Sequence, residues 1–415
     1  MTDQSSRAGP GRLARSLPRS GARSRAWLTV AVGVAAVGWG ANHFAPLLLM
    51  YRSELNVPAT TVQATYALYA IGLIPGLFLG GPLSDRYGRR RMLVPALFVS
   101  ALASMLLMPA GSGVAWLFVG RLVAGAASGA AFSSGTAWIK ELTAGDVGQD
   151  AHAGARRATI GMTAGFALGP LVAGLVAQTA PNPVVTACVP HVVLTLAAVP
   201  FVLHTPETHR VNKSTVLWSR LNLSPANGHR FRRIVTPLAP WAFGASSIAL
   251  AYLPGLVRDQ LDGHALLFGA LVTTATMCAG ILVQPLARRV SRPGRPQLLV
   301  TALGIVAGGL VLGAGAAASE RWWLIALASV VLGAGYGCCL VCGLMEVQRM
   351  ASTQNLGLLT AVFQAIAYLG FAAPYTWPSP SNSCPPRCCS CCSPHWHCSP
   401  LSGPSIQKCA TRIRR

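Results

Sequence analysis

Residues 81–91 read Gly81-Pro82-Leu83-Ser84-Asp85-Arg86-Tyr87-Gly88-Arg89-Arg90-Arg91, and long apolar runs lie on both sides, roughly 60–82 before and 92–110 after. A helix needs about 17–25 apolar residues to cross a bilayer, so the stretch reads as a short polar loop joining two spans at one membrane surface. Each residue type has a use there. Gly81 permits close approach of a neighbouring helix, Gly88 permits a turn without side-chain strain, and Asp85 ends a span at the surface. The arginines mark the loop as one retained on the cytoplasmic side.

Reading outward, further spans fall at 28–50, 114–138, 158–178 and 184–204, then at 234–256, 266–286, 297–317, 322–345 and 355–375. The composition agrees. Of 415 residues, 52% are hydrophobic and 11% charged, with a mean hydropathy of +0.49. A soluble chain would carry charge on about a quarter of its residues. The formal net charge of +22 raises the prospect of nucleic-acid binding, but the placement of the charge excludes it. Arg7, Arg12, Arg15, Arg19, Arg23 and Arg25 precede span 1, Arg86–Arg91 follow span 2, and Arg156 and Arg157 precede span 5. Arg230, Arg232 and Arg233 precede span 7, and Arg288, Arg289, Arg292 and Arg295 follow span 8; the alternate loops hold only Arg52, Arg258 and Arg321. This is the positive-inside pattern, with a cytoplasmic N-terminus and a multi-pass location in the cell's inner membrane. The run Trp27–Met50 is too long for a cleaved signal and serves as a signal anchor.

The chain therefore divides into a basic, disordered cytoplasmic tail (1–26), a six-helix bundle (27–204), a cytoplasmic linker (205–233), a second bundle with five recognisable helices (234–375) and an aberrant Cys/Ser/Pro-rich tail (376–415). The bundles repeat each other. Pro82, Leu83 and two arginines of the loop align with Pro285-Leu286-Ala287-Arg288-Arg289-Val290-Ser291-Arg292. Gly125, Gly129 and Gly135 of span 4 align with Gly333, Gly337 and Gly343 of span 10. Two matches in the same order at corresponding spans point to duplicated halves.

The 81–91 stretch resembles the loop between helices 2 and 3 of the major facilitator superfamily, G-x-L-x-D-R-x-G-R-R-[RK], matched here by Gly81, Asp85, Arg86, Gly88, Arg89 and Arg90. The resemblance implies an all-α membrane fold of two pseudo-symmetric six-helix bundles. It also implies that Asp85 braces the N-terminus of helix 11, here near Ser352-Thr353-Gln354-Asn355. Arg121, with Gly125, resembles the family's span-4 arginine motif, linked there to proton transfer; the bland alternative is that Arg121 snorkels to the outer surface. Gly165, Gly169, Pro170 and Gly174 resemble the family's antiporter signature, with Ala173 replacing one glycine, and imply efflux rather than uptake. Packing of small residues explains the same pattern without it.

Polar residues within spans are costly and mark candidate cavity positions: Asn42, Gln63, Tyr66, Trp241, Tyr336, Gln364 and Tyr368. Candidates for coupling are Arg121, His43, Glu141 and Glu346, because no Asp or Glu lies in the middle of any span. No nucleotide-binding loop is present, so the expected energy source is a proton gradient, with no cofactor, no metal and no enzymatic reaction. The expected partners are the lipid bilayer and a small molecule, with no nucleic acid, and the chain is expected to be monomeric. The reading is a secondary transporter exporting a small hydrophobic compound by proton exchange. An uptake facilitator or a non-transporting relic are the alternatives.

The end of the chain breaks the pattern. Seven of the twelve cysteines lie from Cys384 to Cys409, five of them in the run Cys384-Pro-Pro-Arg-Cys-Cys-Ser-Cys-Cys. Shifted by one base, codons for Leu, Val, Ala and Thr in a GC-rich gene become codons for Cys, Trp, Ser, Pro and Arg. A frame shift near residue 376 that replaces a twelfth span is the expectation; the competing reading is a Cys/His metal-binding tail, whose adjacent cysteine pairs lack the spacing of structural zinc sites.

Overall fold

A computed structural model describes residues 25–55, 57–144, 153–208, 228–290, 297–351 and 356–372. The expected helix-11 brace at 352–355 and the whole 376–415 tail, with its frame-shift reading, lie outside the described residues. Among the described residues there is no strand, and ten helices are long and apolar enough to cross a membrane. They are α1 (Ala26–Arg52), α2 (Ala59–Tyr87), α3 (Arg89–Ser112), α4 (Ala115–Ala144), α5 (Ala153–Thr179), α6 (Pro183–Leu203), α7 (Phe231–Arg258), α8 (Ala265–Val290), α9 (Gln297–Ser319) and α10 (Trp322–Met350). A shorter apolar helix, α11 (Leu356–Leu369), continues into a single tight turn at Gly370–Ala372.

Several helices outrun the apolar stretches that announce them. The apolar run of span 2 ends at residue 82, yet α2 continues through Pro82 to Tyr87, and the polar loop shrinks to Gly88 alone. Gly88 has φ +106° and ψ +150°, a backbone state closed to side chains with a Cβ, so one glycine turns the chain from α2 into α3. Asp85 thus lies in the last helical turn. In α1 the regular helix slackens at His43, between Ala26–Asn42 and Phe44–Glu54. Pro46 explains the position, since it cannot donate to the carbonyl four residues earlier, that of Asn42. Helix α7 is similarly loosened into a wide turn at Ile248–Tyr252 and a tight one at Leu253–Gln260.

The helices pack through backbone contact at small residues. A Cβ on Gly125 would lie 2.1 Å from the Tyr69 carbonyl oxygen, and one on Gly129 2.4 Å from that of Leu73, so α2 and α4 touch main chain to main chain. The second half repeats this seam between α8 and α10, where a Cβ on Gly333 would meet the Thr276 carbonyl oxygen at 2.2 Å and one on Gly337 that of Gly280 at 2.1 Å. Two of the three glycine pairs aligned by sequence thus do the same job in the two halves; the third differs, Gly135 facing Val34 of α1 and Gly343 facing Phe363 of α11. Gly81 does not do the job expected of it: nothing lies within 4 Å of where its Cβ would be. The tight approaches on α2 are made by its neighbour Gly80, against Ala130 and Ser133 of α4, and further back at Gly76 and Gly72.

Named contacts between the α1–α6 and α7–α11 sets gather toward the helix ends remote from Gly88. Gly174 of α5 lies against Ala270 of α8, the Thr274 hydroxyl donates to the Ala167 carbonyl at 3.1 Å, and the Gln178 amide donates to the Gly263 carbonyl. Tyr66 and Tyr69 of α2 meet Tyr368 and Phe371 at ring distances of 5.5–6.4 Å.

Candidate functional site

Two buried arginines organise the candidate residues. Arg89, 7% exposed, starts α3 directly after the Gly88 turn. Its Nη1 lies 2.6 Å from Asp85 and donates to the Ser84 hydroxyl at 2.5 Å, while Nε and Nη2 donate to Glu141 of α4 at 3.1 and 2.7 Å. Fork geometry of this kind is what a guanidinium offers a carboxylate. Glu207, just beyond α6, accepts the backbone N–H groups of Arg89 and Arg90 at 3.1 and 2.9 Å and so caps α3, where a helix N-terminus attracts negative charge. Thr208 donates to Glu141 at 2.5 Å, and Arg90 reaches back to the Leu203 carbonyl. The first residues of the expected linker are therefore docked onto the loop motif. Arg86 extends over the Tyr87 ring. At the same end of α10, Glu346 accepts Arg230 at 3.0 Å and Arg349 at 2.5 Å. Glu141 and Glu346 are thus tied up in ion pairs and do not face the central cleft.

Arg121 is 1% exposed, a full helix-length away from that network, and has a different environment. Its Nη1 donates to the Ala41 carbonyl at 3.1 Å, next to the Pro46 slackening of α1. Its guanidinium lies over the rings of Tyr69, Phe44 and Tyr66, at 4.3, 4.6 and 5.5 Å from their centroids. Among the described residues it has no carboxylate partner, and its Nε is buried without a hydrogen bond. It does not reach a surface, as snorkelling would require. The aligned position in α10 holds Ser329, so the guanidinium belongs to one half only.

A narrow cleft, part of it open to its surroundings, lies against Arg121. Of the seven cavity candidates, it is lined by Asn42, Tyr66, Tyr336 and Tyr368. Trp241 and Gln364 are half-buried elsewhere, and the Gln63 side chain lies outside the described set. The rest of the lining escapes sequence reasoning, chiefly Tyr69, Phe166, Phe243, Met277 and Phe371. Phe243 stacks on Tyr368 with centroids 4.1 Å apart, and Asn42 donates to the Phe166 carbonyl at 2.9 Å.

His43 is buried behind the cleft wall, stacked on His191 of α6 at 5.3 Å and 4.0 Å from the Cys188 sulfur. His191, which no sequence signal singles out, is fully committed. Its Nε2–H donates to the Ala36 carbonyl at 3.1 Å, so Nδ1 accepts from the Ser104 hydroxyl at 2.7 Å. In α5, Gly165 and Gly169 press on the backbone of α1 at Ala35 and Trp39, whereas Gly174 faces α8, with Pro170 buried between them. Only Gly174 of the four thus lies at the contact between the two sets of helices; Gly165 and Gly169 pack α5 onto α1 within the first set.

The family pattern described as the Major Facilitator Superfamily matches residues 29–374. A chloramphenicol resistance protein of Pseudomonas aeruginosa is 26% identical over 285 residues, covering 69% of this chain and 66% of that protein. Glucose transporter GlcP of Staphylococcus epidermidis is 30% identical over 114 residues, 27% of this chain and 25% of that one. The chain thus spans two thirds or less of the length of the curated relatives it matches. A mutant of the nucleoside transporter NupG has the same fold, with a TM-score of 0.66 at 14% identity over 84% of this chain and 88% of that one. With the loop motif, the repeated glycine seams and a family match across most of its length, this chain belongs to the Major Facilitator Superfamily.

Proposed function

We propose that the protein is a secondary active transporter that exports a small hydrophobic compound in exchange for protons, by rocking its two bundles around the central cleft. The observation that carries this reading is the cleft itself. It lies at the meeting of the two helix sets and is walled by residues of both, with one buried charged group, Arg121, at its edge. Support for export comes from the Gly165–Gly174 signature in α5 and from likeness to a chloramphenicol resistance protein. Arg121 is the coupling group in this reading. His43 sits one layer behind it, and the Asp85–Arg89–Glu141 network latches the arginine-rich end. The assigned location is the inner membrane with a cytoplasmic N-terminus, with residues 1–26 as tail and 205–233 as linker between the bundles.

The runner-up, an uptake facilitator, is favoured by the likeness to a glucose transporter. Everted vesicles separate the two. On the export reading they accumulate the transported compound only under an imposed proton gradient, and a protonophore abolishes the accumulation. Flux indifferent to the protonophore favours the facilitator, and absence of any protein-dependent flux favours a non-transporting relic.

A further inference from the structure

We propose that the cleft takes an organic anion: a compound with an aromatic or apolar body and one oxyanion group of the carboxylate class, held by Arg121. The biological sense of this rests on the transporter reading, but the site itself rests on geometry. A guanidinium presents five N–H donors, and in water-free surroundings each unmet donor is costly. Arg121 donates to a single carbonyl, that of Ala41, and its Nε has no partner. Tyr66 adds a second unmet group, since its hydroxyl is buried and without a hydrogen bond. Both residues line the same cleft. Two unmet donors, one of them cationic, therefore converge on one space.

The ring contacts offset only part of the charge. A cation over an aromatic face gains about 0.5–2 kcal/mol, against a penalty of several kcal/mol for burying the ion. The molecule shows what full compensation looks like at Arg89, where Asp85 and Glu141 provide it. At Arg121 no carboxylate among the described residues plays that part, which leaves it to the occupant. A cationic occupant would be repelled at this range, and a neutral one would leave the guanidinium unpaired once water is expelled. The remaining wall fixes the body of the ligand. Phe243, Phe371, Tyr368 and Met277 present rings and a thioether to it, and no acidic group.

The test uses the full chain in lipid nanodiscs, with radiolabelled benzoate as the probe and benzamide and benzylamine as competitors of equal shape. Benzoate is expected to bind saturably, with both competitors weaker by about tenfold or more, as for a site built around one charged group. Arg121→Gln should weaken benzoate by about tenfold and erase its advantage over benzamide, while Tyr66→Phe weakens it by about threefold. Lack of saturable benzoate binding, equal or better binding of benzamide or benzylamine, or an anion preference that survives Arg121→Gln overturns the proposal. Should Arg121→Gln fail to fold, the ranking of the three probes on the unaltered protein decides alone. Flux assays in liposomes keep the two readings apart. Benzoate-selective binding without flux retains the anion site and removes the transporter reading. Flux of a neutral or cationic compound, with benzoate neither bound nor carried, does the reverse.

Discussion

Arg89 and Arg121 are both sealed from solvent, at 7% and 1% exposure, but one is surrounded by carboxylates and the other by aromatic rings. At the Gly88 turn each of the three guanidinium nitrogens of Arg89 meets an acceptor on α2 or α4, and Glu207 ties the backbone N–H groups of Arg89 and Arg90 to the end of α6. Such a site is closed to anything further. At the cleft the charge is held by one carbonyl and three ring faces, which leaves it open to a partner from outside the chain. The same residue type, equally buried, thus serves as a fastener in one place and as a receptor in the other. What separates the roles is whether the opposite charge is built into the fold.

The comparison can be broken by removing each arginine. Arg89→Met should have the larger effect, because it leaves Asp85 and Glu141 facing each other without a cation. Removing one partner of a buried pair costs about 3–5 kcal/mol, and since these two carboxylates are about a third exposed the loss should be nearer 2 kcal/mol. Denaturant unfolding of the purified protein in detergent measures it, and an unchanged midpoint would show that the network is ornamental.

A double-mutant cycle of Arg89→Met with Glu141→Gln sharpens the same point. The two changes should couple by about 1 kcal/mol, the double variant being more stable than the sum of the singles predicts. Strict additivity would mean that the 2.7 Å contact contributes nothing of its own.

Arg121→Met should show the smallest effect on stability, within about 1 kcal/mol of the parent and in either direction, because it orphans no carboxylate and places an apolar chain among rings. Flux in vesicles should nonetheless be lost. A variant that unfolds as readily as Arg89→Met, or that still transports, would erase the distinction between the two sites.

Much of the fold is legible in the sequence for one physical reason: lipid forces long apolar runs and sorts arginines to one side. Ten of the spans, the turn at Gly88 and the odd placement of Arg121 emerge from that alone. What stays hidden depends on which face of a helix looks inward. Phe243 and Phe371 line the cleft while Phe98 and Phe201 are exposed, and nothing in the residue type distinguishes them. Trp241 and Gln364 attract notice because they are polar, and they lie off the lining. Glu207 escapes notice because it falls in a stretch that reads as linker, and a cap on a helix more than a hundred residues earlier leaves no local pattern. Gly81 misleads in the opposite sense, since its place in a motif suggests a tight contact that α2 makes at Gly72, Gly76 and the adjacent Gly80 instead.

The seam between α2 and α4 also dictates an order of construction. Its two sides are not neighbours in sequence, since α3 lies between them, and they meet through bare backbone at Gly125 and Gly129. While the chain is being synthesised, α2 must therefore wait in the lipid with its glycine face uncovered. During that wait α3 has to insert without covering this face, which only α4 fits through Gly125 and Gly129. The same delay recurs in the second half, where α8 waits for α10 across the insertion of α9. Assembly of each bundle is thus paced by its fourth helix, and neither seam can close before that helix has entered the lipid.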